Sequence, residues 1–65
     1  MNDIAIEVFD EEHEKDLQYN VNAFLSTLGE DDLIDIKYAI NAFLGNGNEQ
    51  IYCYSAMVIY RKKRN

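Results

Sequence analysis

Two apolar segments joined by Gly45-Asn46-Gly47-Asn48 make up the stretch from Leu33 to Tyr60, and no other feature limits the possible folds as tightly. Each arm alternates, and Asn-Gly between alternating arms is the strongest short-range signal for a β-hairpin. With Asn46 and Gly47 as the loop of a type I′ turn, Gly45 faces Asn48, and the pairing runs Ala42 to Ile51, Ile40 to Cys53, Tyr38 to Ser55, Ile36 to Met57 and Ile34 to Ile59. That face is almost wholly aliphatic. The other carries Leu33, Asp35, Lys37, Ala39, Asn41 and Phe43 opposite Tyr52, Tyr54, Ala56, Val58 and Tyr60. It is too apolar and aromatic to be left to water, so something is expected to cover it. Leu33, Ile36, Ile40, Phe43 and Leu44 also fit a helical stripe stopped at Gly45; the strand reading is preferred because β-branched residues lose more freedom in helices.

Upstream, Ile4, Ile6 and Val8 alternate with Ala5, Glu7 and Phe9 and predict a short first strand. Asp10 is placed to cap a helix whose first turns hold Glu11, Glu12 and Glu14, where carboxylates favour the positive end of the helix dipole. Leu17, Val21, Phe24, Leu25 and Leu28 form its apolar stripe, and Gly29 is the expected stop. The order is β-α-β-β. This predicts one α+β domain over residues 1–65, a single helix packed on the aliphatic face of a three-stranded sheet, with residues 61–65 as a basic, frayed tail.

A chain of 65 residues buries a modest fraction of its surface. One cysteine, Cys53, excludes an internal disulfide, and one Cys with one His falls short of a structural zinc site. Oligomerisation is the remaining route to stability, so a homo-oligomer, dimer or tetramer, is expected. No segment is long and apolar enough to span a membrane, and the acidic start is unlike a secretory leader, so a cytoplasmic location is expected. The net charge is −6, and four of the six cations are Arg61, Lys62, Lys63 and Arg64. The rest of the chain sets two cations against twelve acids, which disfavours general DNA or RNA binding.

Catalytic signals are weak. His13 among acidic neighbours reads as a solvated surface residue, and Cys53, with no companion base, reads as an inert packed thiol. The acids at 10–16 lack the ordered spacing of a calcium loop, and both glycines near the turn are used by it. No catalytic residue, metal ligand or cofactor is assigned. Recognition signals are better: Tyr52, Tyr54 and Tyr60 share the predicted face with Lys37 and Asn41, and Arg61 follows. Rings of this kind stack on bases while a cation takes a phosphate. A protein interface explains the same enrichment.

Val8-Phe-Asp-Glu-Glu-His-Glu-Lys-Asp-Leu17, Ile34-Asp-Ile-Lys-Tyr38 and Glu49-Gln-Ile-Tyr-Cys-Tyr-Ser-Ala-Met-Val-Ile-Tyr60 resemble, in the same order, the small sporulation proteins of bacilli of the Cse-sixty type. Proteins of this kind also look like ones carried by Bacillus phages, where small chains include anti-CBASS sponges that hold cyclic dinucleotide signals without cleaving them. The resemblance thus implies a non-enzymatic role, with sequestration of a cyclic dinucleotide as the expected one and a sporulation or structural role as the alternative. In the first, an oligomer sequesters a cyclic dinucleotide between subunits, with Tyr52, Tyr54 and Tyr60 stacking on bases, Asn41 beside them and Lys37 or Arg61 at the phosphates. In the second, a sporulation or structural protein uses its aromatic face for self-association or docking.

Overall fold

The computed structural model describes residues 3–62. Strand β1 spans Asp3–Glu11, helix α1 Glu14–Leu25, strand β2 Leu33–Leu44 and strand β3 Gln50–Lys62. The three strands form one antiparallel sheet in the order β1-β3-β2, so β1 and β2 flank the last strand. The expected β-α-β-β architecture is the one observed, and the segment from Leu33 to Leu44 is strand rather than helix.

The hairpin register differs from the two-residue-turn expectation by one position. Gly45 N–H donates to Glu49 O at 2.8 Å, leaving a three-residue loop of Asn46, Gly47 and Asn48. Gly47 and Asn48 both take positive φ, 91° and 65°. Glycine has no Cβ to oppose that region, and asparagine enters it more readily than most residues. The repeated Gly-Asn pattern therefore offers more than one turn, and the longer one is formed. Along the arms Ala42 pairs with Tyr52, Ile40 with Tyr54, Tyr38 with Ala56 and Ile36 with Val58. An irregularity between Leu33 and Asp35 takes up the extra residue, so Leu33 pairs with Tyr60 as expected from the sequence.

A one-residue slip exchanges the faces of one arm relative to the other. Helix α1 packs on the face that bears Tyr54, Ala56, Val58 and Tyr60 of β3 and Phe9 of β1, and the expected helix cover of the face with Met57 and Ile59 is corrected. Phe24 shows this directly: its ring lies 5.9 Å from Phe9 and 5.1 Å, edge-on, from Tyr60. Among the described residues the buried core is small, consisting of Leu17, Ala56 and Val58. The helix sits over β1 and β3 and leaves most of β2 uncovered.

Helix α1 starts later and stops earlier than the sequence suggests. Asp10 is a residue of β1 and does not cap the helix; the N-cap is His13, without a side-chain capping bond. At the other end Ser26 Oγ donates to Ala23 O and Thr27 Oγ1 to Phe24 O, both at 2.7 Å, in competition with the backbone ladder. Gly29 lies in the turn beyond, where Asp32 N–H donates to its carbonyl. The linker is then tied to β3 by Arg61, whose backbone N–H donates to Asp32 O and whose guanidinium donates to Asp31 O. Arg61 and Lys62 are thus paired strand residues rather than a frayed tail, while Lys63–Asn65 lie outside the described residues. The molecule measures 51 × 18 × 16 Å with a radius of gyration of 14.7 Å, against about 10.7 Å for a compact domain of this length. A long hairpin with one short helix produces that elongation.

Candidate functional site

Pairing across the sheet sorts the surface into a helix-covered face and an open face. On the open face, successive rows are Ile4 with Arg61; Ile6, Ile59 and Asp35; Val8, Met57 and Lys37; Asp10, Ser55 and Ala39; Cys53 with Asn41; and Ile51 with Phe43. Ile4 is 61% exposed, Ile6 53%, Val8 56% and Phe43 54%. Ile4, Ile6 and Val8, exposed to this extent along one strand, mark an interaction surface, with Phe43 set apart beyond the rows of Asp10 and Cys53. A shallow depression of about 180 Å³ lies within it, lined by Val8, Lys37, Ala39, Ser55 and Met57 together with Tyr38 and Ala56 between them in sequence.

Polar contacts on this face are internal. Lys37 Nζ lies 3.0 Å from Asp35 Oδ2. The Lys37 hydrogen bond, the Ile36 N–H and the Lys37 charge together hold the Asp35 carboxyl below the usual carboxylate range. Ser55 Oγ donates to Asp10 Oδ1 at 2.6 Å, and Cys53 Sγ is 3.9 Å from the same hydroxyl. Cys53 is half-buried on the open face and not a member of the core, as the two-residue-turn register had placed it.

The six residues singled out from the sequence divide between the two faces. Tyr52, Tyr54 and Tyr60 belong to the helix-covered side, whereas Lys37, Asn41 and Arg61 belong to the open side. The expectation that Lys37 and Asn41 share a face with the tyrosines is corrected: with one residue more in the loop, they pair with Met57 and Cys53. Tyr60 is engaged by Phe24. Tyr52 and Tyr54 stack on each other at 6.3 Å and 22°, and Tyr52 Oη donates to Gln50 Oε1. Beyond the helix the same side leaves Tyr38, Ile40 and Leu44 of β2 exposed.

The residues that sequence reasoning missed are those of β1. Ile4, Ile6 and Val8 were legible as one strand face, but nothing in the sequence showed that β1 pairs with β3 and turns this face away from the helix. Among the described residues no group of three or more His, Cys, Asp or Glu side chains is placed to hold a metal ion. No helix among them is long and apolar enough to cross a membrane.

These features define a small α+β protein whose candidate site is an exposed sheet face holding a shallow depression. Residues 3–62 match the family model described as Sporulation protein Cse60, and the chain belongs to that family. A curated relative, "Sporulation protein cse60" of Bacillus subtilis (strain 168), is 52% identical over 59 residues, covering 91% of this chain and 98% of the relative. No solved structure matches. The family resemblance read from the three sequence blocks is thereby established, and both matches speak of sporulation, neither of a phage nor of a cyclic nucleotide.

Proposed function

We propose that this sporulation-family protein works by protein association through the open face of its sheet, without catalysing a reaction. The observation that carries the reading is the uncovered row of Ile4, Ile6 and Val8 beside Met57 and Ile59, an apolar surface on a chain that is otherwise strongly acidic. Sequestration of a cyclic dinucleotide is the weaker reading. It called for tyrosines and Lys37 on one surface, and these stand on opposite sides of the sheet within a chain.

The test places a photo-crosslinking amino acid at Ile6 or at Tyr19, which is 74% exposed on the helix, in the chain produced in sporulating Bacillus subtilis. Protein adducts are expected from position 6 and not from position 19. Absence of adducts from position 6 would refute the reading. In parallel, purified protein is mixed with a panel of cyclic nucleotides, separated from free ligand, and heated. Release of an intact nucleotide would replace the association reading with sequestration.

A further inference from the structure

A sheet face that must be covered can be covered by its own copy when its area, charge and pattern suit a two-fold axis. All three do here. A compact protein of 7.6 kDa exposes about 4,300 Å², whereas this chain exposes 5188 Å². The excess of about 900 Å² belongs to the whole elongated chain, with β2 beyond the helix sharing in it, and is of the same order as the roughly 800 Å² that each partner contributes to an interface of standard size.

Charge favours this face over the rest of the surface. Of the five acids carried by the strands, Asp3, Glu7 and Glu11 fall on the helix-covered side, while Asp10 and Asp35 share the open face with Lys37 and Arg61. The face is therefore neutral on a chain of net charge −6. Two copies meeting elsewhere would bring like charges together, which costs affinity and slows encounter.

Pattern fixes the orientation. Asp35 and Lys37 stand two residues apart on one strand of the open face, in rows with Ile59 and Met57 and with Ile6 and Val8. A two-fold axis crossing the strands level with Val58 exchanges those rows. It sets Ile6 over the partner subunit's Val8, Ile59 over the partner subunit's Met57, and Asp35 over the partner subunit's Lys37. An axis parallel to the strands would instead lay Ile6 and Val8 over the charged pair and strand both. We infer that the open face packs against the same face of a second copy about the first of these axes, giving a helix-sheet-sheet-helix sandwich. This inference rests on the association reading and names its partner.

Sedimentation of the full chain over a range of concentrations tests it. Wild type is expected to sediment at twice the chain mass. Ile6→Asp is expected to weaken the dimer by at least about tenfold while leaving the circular dichroism unchanged, because a charge is placed among apolar contacts. Tyr19→Asp, on the exposed side of the helix, should leave the dimer intact. Asp35→Lys and Lys37→Asp should each weaken it through like charges facing one another, and an equimolar mixture of the two variants should recover it as a heterodimer.

A dimer indifferent to Ile6→Asp would overturn the inference, as would charge variants that mixing does not rescue. A chain that stays monomeric throughout would overturn it as well. If position 6 still forms adducts in cells, that last outcome leaves the association reading standing with a different protein as partner; if it forms none, both fall.

Discussion

Replacing Val58 by Ala tests the face assignment most directly, because the competing two-residue-turn register would put Ile59 in the core and Val58 outside it. In the structure Val58 has no exposed surface, and Ile59 is a half-buried residue of the open face. Removing two methyl-sized groups from a fully buried site forfeits about 1.6 kcal/mol of transfer free energy. A residual cavity of roughly 50 Å³ would add about 1.2 kcal/mol before relaxation. Val58→Ala should therefore lose about 2 to 3 kcal/mol, which for a domain of this size lowers Tm by roughly 10–20 °C. Ile59→Ala, removing more atoms from a partly exposed site, should cost the isolated chain about 1 kcal/mol or less. Urea unfolding followed by circular dichroism, repeated over a hundredfold range of protein concentration, separates the two. The Val58→Ala loss should persist at every concentration, and that of Ile59→Ala should grow as the chain associates. If Ile59→Ala costs as much as Val58→Ala in dilute solution, both the register and the helix placement are wrong.

Two further perturbations address the turn and the charged pair. Asn48 holds a φ of 65°, so Asn48→Val should destabilise the hairpin by about 1–2 kcal/mol while Asn48→Gly stays near neutral; equal effects would show that the loop does not use that conformation. Lys37→Ala should move the Asp35 titration, followed by NMR, upward toward the ordinary carboxylate value, only in part because the Ile36 N–H still donates to it. Since folding lowers the Asp35 pKa, the favourable contribution of the pair is present above the unfolded carboxylate pKa, and it is lost as pH falls through the lowered folded value. An unmoved midpoint would mean that Lys37 does not reach Asp35 in solution.

The protein's size, its acidic body and its β-α-β-β order follow from the sequence alone. Those properties depend on local periodicity: alternating Ile4, Ile6 and Val8 must extend, and Leu17, Val21 and Phe24 must share one side of a helix. The family was also legible, through three ordered blocks of residues. Helix limits were not, because the hydroxyls of Ser26 and Thr27 end the helix before Gly29, and strand pairing with β3 claims Asp10 before it can act as a cap. Which face the helix covers was decided only in the tertiary structure. Gly-Asn-Gly-Asn permits loops of two or three residues, and that one residue reverses the side chains of residues 35–44 against the other arm, up to the irregularity beside Leu33. The position of β1 completes the outcome: pairing with β3 gives Phe24 both Phe9 and Tyr60 to pack against, and leaves Ile6 and Val8 with no cover inside the chain. Local sequence sets what each strand can present, but the direction in which it is presented depends on contacts between residues about fifty positions apart.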